Sequence, residues 1–202
     1  MPDLGQVADA LGRIPVRWWI SGGAALDLWV GRRIRARDHV DVSVVASDLP
    51  AVVDALPRRF RAWVRLEDGL VPTSDLDDIA GSGTVFVRDD DAGCAFTLRP
   101  EDGSPDAWIY RRDPRLQVPW DRAVLDLSGI PAGAPEVQLV WKSLRPRPED
   151  DADREAVVPT LDTAAKTFFE TALLRIHPHS AWAIPIRTPF APAKSSWARR
   201  PA

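Results

Sequence analysis

The stretch WWISGGAALDLWVGRRIRARDHVDVSVV, residues 18–45, decides how this chain folds. Residues 16–20 form a short apolar, aromatic run that stops at Ser21-Gly22-Gly23. That pattern reads as a buried strand entering a tight turn. Residues 24–30 then hold good helix formers and stop at Gly31, the residue type that most readily ends a helix. Residues 40–45 alternate and are β-branched, which predicts a second strand.

Outward from this stretch the signals are shorter. Leu4, Val7, Ala8 and Leu11 have helical spacing and end at Gly12, and Leu49, Val52, Val53 and Leu56 give another helical face. Residues 63–66, 84–87, 95–98 and 107–110 read as four further short strands. The acidic, glycine-containing segments 74–78, 89–93 and 101–106 read as turns between them. From Ala134 the character changes: Pro135 starts a helix carrying Val137, Leu139, Val140 and Leu144, which Pro146 and Pro148 break. Asp162 is placed to cap a long last helix with Ala165, Phe168, Phe169, Ala172, Leu173 and Ile176. Beyond Trp182 the sequence is rich in Pro, Ala, Ser and Arg without periodicity, which predicts a loosely docked tail. The expected organisation is 1–133, a helical part 134–182, and a Pro-rich tail 183–202. The fold class is α/β of the α+β kind, a mixed β-sheet with flanking helices.

The 202 residues are enough to bury one core, with 45% hydrophobic and 27% charged residues and a formal charge of −3. That charge gives no overall pull toward nucleic acid. Cys94 is the only cysteine, which excludes an intrachain disulfide and a thiolate metal cage; we read it as an inert core residue. The N-terminal sequence lacks a basic start followed by an apolar run, and no apolar stretch is long enough to span a bilayer. The expectation is a cytoplasmic protein with a small-molecule substrate and neither a nucleic-acid nor a membrane partner. Oligomeric state is not legible here.

Residues 18–45 resemble the aminoglycoside and lincosamide nucleotidyltransferases and their wider bacterial family. The shared pattern is a strand, a Gly-Gly turn, a short helix with an Ala-Leu-Asp-Leu-like run, a Gly-Arg turn, and a strand bearing an acid-apolar-acid motif. The likeness continues through WIYRRDPR (108–115), APEVQLVWK (134–142), RPRPEDDAD (145–153) and HPHSAW (177–182). It implies the polymerase-β-like nucleotidyltransferase fold, with residues 16–20 and 40–45 adjacent in one sheet and Gly22-Gly23 beside Asp41. It implies transfer of a nucleotide from a triphosphate such as ATP, with Mg²⁺, to a hydroxyl on a small molecule. A Gly-Gly turn leaves backbone N–H groups open to a triphosphate. Two carboxylates at i and i+2 on a strand share a face and can hold divalent ions that bridge the phosphates. In that scheme Ser21, Gly22 and Gly23 bind the nucleotide, Lys142 neutralises phosphate charge, and Asp41 holds metal.

The match breaks at the acids. Where the family has acid-apolar-acid, this chain has His39-Val40-Asp41, and Arg37 stands where relatives often carry histidine. Residues 94–98, where the third carboxylate belongs, read CAFTL, and Glu101 comes only after Pro100. Magnesium prefers oxygen ligands, so the motif is degenerate. Using Asp38 instead would turn it to the opposite face from Asp41 unless a bulge intervenes.

Three readings stay open. One is surviving nucleotide transfer using Mg²⁺ and ATP. The second is a repurposed, metal-independent enzyme of natural-product metabolism, a cyclase or isomerase, in which His39 and Asp41 are catalytic and exchange protons. The third is a pseudoenzyme that binds a nucleotide or a partner and catalyses nothing.

Among other groups, Arg111 and Arg112 could bind anions or merely end a strand in ion pairs. His177 and His179 offer too few nitrogens for a metal site. Trp18, Trp19, Trp29, Trp63, Trp108 and Trp141 read mostly as core, and Trp120, Trp182 and Trp197 as candidates to line a pocket for a flat ligand.

Overall fold

The computed structural model describes residues 4–67, 69–75, 79, 83–89 and 93–187. Helix α1 (Leu4–Leu11) leads into β1 (Trp18–Ser21), α2 (Gly22–Val30) and β2 (Asp41–Val45). Then follow α3 (Leu49–Asp54), β3 (Phe60–Leu66), β4 (Gly69–Pro72), β5 (Val85–Asp89) and β6 (Gly93–Gly103). Strands β7 (Ala107–Ile109) and β8 (Gln117–Pro119), the short helix α4 (Trp120–Ala123), and β9 (Val124–Leu127) and β10 (Ile130–Gly133) complete the β part. Four helices close the described chain: α5 (Pro135–Lys142), α6 (Pro148–Val157), α7 (Thr163–Ile176) and α8 (Ala183–Arg187).

The strands form one mixed sheet in the order β4-β3-β5-β6-β2-β1-β10-β9, with β7 on β6 and β8 on β7. The two strands of the deciding stretch are neighbours, as expected: β1 and β2 run antiparallel with Trp18 opposite Val44 and Ser21 opposite Asp41. On its other side β2 pairs in parallel with β6, aligning Asp41 with Thr97.

Side chains alternate across a strand, so each central strand feeds two cores. Ile20, Val42, Val44, Phe96 and Leu98 face α1 and α3, where Val7, Leu11, Leu49 and Val52 complete the first core. Trp19 faces the other way, with Leu26, Trp108, Tyr110, Leu139 and Leu173, under the C-terminal helices. The polar residues Ser21, Asp41, Ser43, Thr97, Arg99 and Glu101 lie on this second face by the same alternation, which is why they can meet.

Helix ends follow local chemistry. Gly31, at φ 72°, ends α2 and bonds back to the carbonyls of Asp27 and Leu28. Asp162 caps α7 by accepting from the Ala165 N–H at 2.7 Å, a bond of about 1 kcal/mol.

Several expectations need correction. Helix α2 starts at Gly22, so the Gly-Gly pair is its first turn and not a separate loop. Strand β6 runs through Glu101–Gly103, which the acidic composition suggested as a turn. Pro148 opens α6 at its first position, where a missing N–H costs nothing, besides ending the preceding segment. Ala183–Arg187, assigned to the tail, is helical; the rest of the tail, Trp197 and the Cys94 side chain lie outside the described residues. Trp120 and Trp182 are buried, Trp120 edge-on to Trp19 at 5.5 Å and Trp182 packed on Phe169, so both are core residues. Among the described residues no helix is long and apolar enough to cross a membrane.

Candidate functional site

A cleft of about 750 Å³ opens where the C-terminal edge of β1, the start of β2, and β6 meet α5 and α6. Ser21, Gly22, Gly23, His39, Asp41 and Lys142 all line it, so the structure gathers every site residue named from the sequence into one place.

Asp41 is the centre. Its Oδ1 accepts from Thr97 Oγ1 at 2.6 Å and from Arg99 Nε at 2.7 Å, and His39 Nε2 lies 3.4 Å away. Burial works to raise the Asp41 pKa, but His39, Arg99 and Thr97 outweigh it and hold the carboxyl well below the usual range. His39 moves the other way: the bond to Asp41 raises its pKa, against burial and the Arg99 charge. His39 is not on the strand as the i, i+2 spacing suggested. It sits in the loop before β2, exposed, and reaches Asp41 from there.

Gly22 has φ 59°, and a Cβ on it would stand 2.9 Å from Asp41 Oδ2. Glycine is therefore needed for both its backbone angle and its closeness to the carboxylate. The Gly22 N–H donates to Gln138 Oε1 at 2.7 Å, which ties the turn to α5. Any Cβ on Gly23 would overlap the Arg37 guanidinium.

Arg37 is buried and belongs to a charge network that the sequence did not reveal. Its Nε and Nη2 hold Asp27 at 2.6 and 2.7 Å, and Nη2 also holds Asp153 at 2.9 Å. Burial opposes its charge, but the two carboxylates raise its pKa overall. Lys142 Nζ lies 2.6 Å from Asp150 and 3.1 Å from Asp153, so its ammonium is already held by two acids where it lines the cleft. Arg35 on Asp153 at 3.1 Å and Arg147 on Asp150 at 3.1 Å complete the network. It joins α2 and the loop before β2 to α6.

Glu101 lies deeper, 5% exposed. It bonds Ser43 Oγ at 2.5 Å, Trp141 Nε1 at 3.2 Å, and Trp108 Nε1. Burial raises its pKa, in part offset by these three donors. Thr97 and Arg99 are not acids and so stand outside the acidic motif, and Glu101 lies beyond residues 94–98, where the resemblance puts the third carboxylate. The signal was available in the alternation, since residues 97, 99 and 101 share a face with Asp41 across the sheet. His177 serves structure: its Nδ1 meets Ser143 Oγ at 2.8 Å and its Nε2 meets Tyr110 Oη at 3.0 Å.

The donor set does not suit magnesium. Asp41 Oδ1 is engaged by a hydroxyl and a guanidinium, and Glu101 is saturated by three donors. A fixed positive charge against Asp41 opposes a divalent ion. Among the described residues, no three His, Cys, Asp or Glu side chains are grouped to share a metal ion.

The family described as aminoglycoside-2''-adenylyltransferase matches residues 3–64. Among solved structures, the lincosamide antibiotic adenylyltransferase LnuA in its lincomycin-bound form is similar at 17% identity and a TM-score of 0.53. That match covers 76% of this chain and 92% of that one. ANT(2'')-Ia in complex with adenylyl-2''-tobramycin is similar at 15% identity and a TM-score of 0.47, over 85% of this chain and 95% of that one. A nucleotidyltransferase-like protein from Paracoccidioides brasiliensis is similar at 17% identity and a TM-score of 0.43, over 90% and 88% of the two chains. No curated protein matches significantly. The chain shares its fold with the lincosamide antibiotic adenylyltransferase.

Proposed function

We propose that this nucleotidyltransferase-fold chain acts on a small molecule without a divalent metal, using His39 and Asp41 as a proton-transfer pair. The observation that carries the reading is the surroundings of Asp41 Oδ1: Thr97 at 2.6 Å, Arg99 at 2.7 Å and His39 at 3.4 Å. Asp41 stays ionised and orients the imidazole through Nε2, which leaves Nδ1 of a half-exposed ring for a bound molecule. The bond to Asp41 raises the pKa of His39, which favours the protonated ring as the proton donor that an isomerase or cyclase of natural-product metabolism requires. Gly22 and Gln138 fix the floor beside this pair, and Glu101 and Trp141 form the inner wall.

Nucleotide transfer is the second reading, favoured by the superfamily fold and by the Gly-Gly helix start facing Asp41. Calorimetry with ATP and Mg²⁺ or Mn²⁺ separates the two. Our reading expects weak, metal-independent binding or none, and conversion of the cognate small molecule in the presence of a chelator. His39→Ala is expected to slow that conversion by roughly 10²–10⁴-fold with the fold intact. Tight metal-dependent ATP binding, or unchanged turnover in His39→Ala, would overturn it.

A further inference from the structure

The cleft carries an excess of positive charge that the chain as a whole, at −3, does not have. Most of its cations are cancelled locally. Arg35, Arg37, Lys142 and Arg147 are balanced by Asp27, Glu149, Asp150 and Asp153, Arg99 by Asp41, and Arg111 by Asp102 at 3.2 Å. Two guanidinium groups are left. Arg112, just past β7, and Arg145, just past α5, both line the cleft, both are exposed, and neither has a carboxylate partner among the described residues. Among the described residues, Asp38 is the one exposed acid on the wall that pairs with no cation, and burial pushes the pKa of Glu101 up, toward the neutral form.

We propose that Arg112 and Arg145 bind an anionic group, phosphate or carboxylate, of the small molecule whose other end lies at His39 and Asp41. This inference rests on the cleft being the substrate site, and it sets the substrate class: an acid rather than a polyamine. Guanidinium groups are fitted to this role by their planar fork of donors and permanent charge. An unpaired arginine on a cleft wall is attractive to an anion and repels a polycation of the aminoglycoside type. Behind the wall, burial lowers the pKa of His177 and the charge of Arg112 adds to that effect.

The test is calorimetric titration of the full chain at low ionic strength with inorganic pyrophosphate, with citrate, and with the polycation tobramycin. Pyrophosphate or citrate is expected to bind, the tighter one identifying the head group, and tobramycin is not. Arg112→Gln/Arg145→Gln is expected to weaken anion binding at least about tenfold, whereas Arg58→Gln, at an exposed arginine outside the cleft, leaves it unchanged. Equal binding by the wild type and the double variant, no anion binding, or preference for tobramycin would overturn the proposal. Anion binding does not need proton transfer, so loss of the His39 reading alone leaves this result standing. Loss of anion binding likewise leaves a shifted His39 untouched.

Discussion

Arg99 Nε lies 2.7 Å from Oδ1 of Asp41, so a tethered guanidinium stands beside the carboxylate that a divalent cation would claim in an intact acidic motif. This charge also acts on His39, whose protonation it opposes. Arg99→Ala should therefore raise the His39 pKa further, as followed by its ring resonances in an NMR pH titration. A lower or unmoved value would show that the imidazole does not sense the Asp41–Arg99 pair.

The same pair sets a pH dependence of stability. The pKa of His39 is raised on folding, so its contribution is fully present below the unfolded value of about 6.5 and fades as pH rises through the folded value. The pKa of Asp41 is lowered, so its contribution is present above about 3.9 and fades as pH falls through the folded value. His39→Gln should cost more stability at about pH 5.5 than at about pH 8.5 in urea unfolding, the window that these directions define. The difference should stay under about 1 kcal/mol, because the ring is nearly half exposed and its pairing is screened. A cost that grows toward alkaline pH contradicts the assignment.

Removing Arg37 strands Asp27 and Asp153 in the interior. Arg37→Ala should destabilise the fold by about 3–5 kcal/mol, the usual range when one partner of a buried pair is lost. A cost below about 1 kcal/mol would mean that water solvates both acids.

Gly23→Ala should act through the same network, because its Cβ would displace a guanidinium held by two carboxylates. Gly31→Ala is the control: φ is 72° but the space around it is open, so only backbone strain of about 1–2 kcal/mol is expected. Thermal melts should rank Gly23→Ala below Gly31→Ala, and the reverse order would show that Arg37 moves aside freely.

What the sequence revealed and what it hid have a common cause. Residues 18–45 were legible because β-branched alternation, Gly-Gly and Gly31 act locally. Strands β9 and β10 were not, since Val124–Leu127 and Ile130–Gly133 are short and owe their place to pairing with each other and with β1. His39 and Asp41 could be named because one breaks and the other keeps an acid-apolar-acid motif. The roles of Arg99 and Glu101 could not be read, because they depend on register across β2 and β6, nor that of Asp153, because its arginine partners Arg35 and Arg37 are more than a hundred residues away.

Glu101 gives the last prediction. It accepts from Ser43 and from two indole N–H groups, and its pKa is raised by burial. A glutamine can keep its oxygen on the indoles and turn its amide toward Ser43, whose hydroxyl can accept instead of donate. Glu101→Gln should therefore be mild, while Glu101→Leu leaves three buried donors unmet, at about 1–3 kcal/mol for each polar group left without a partner. The pH dependence fixes the protonation state. An acid whose pKa rises on folding binds its proton more tightly in the folded chain, so its contribution falls as pH climbs from about 4.3 through the folded value. Glu101→Gln removes that slope, so urea unfolding should find it gaining on the wild type between about pH 4.5 and about pH 8. If the wild type gains on Glu101→Gln instead, the three donors stabilise a carboxylate, and Glu101 is a buried anion facing the cleft.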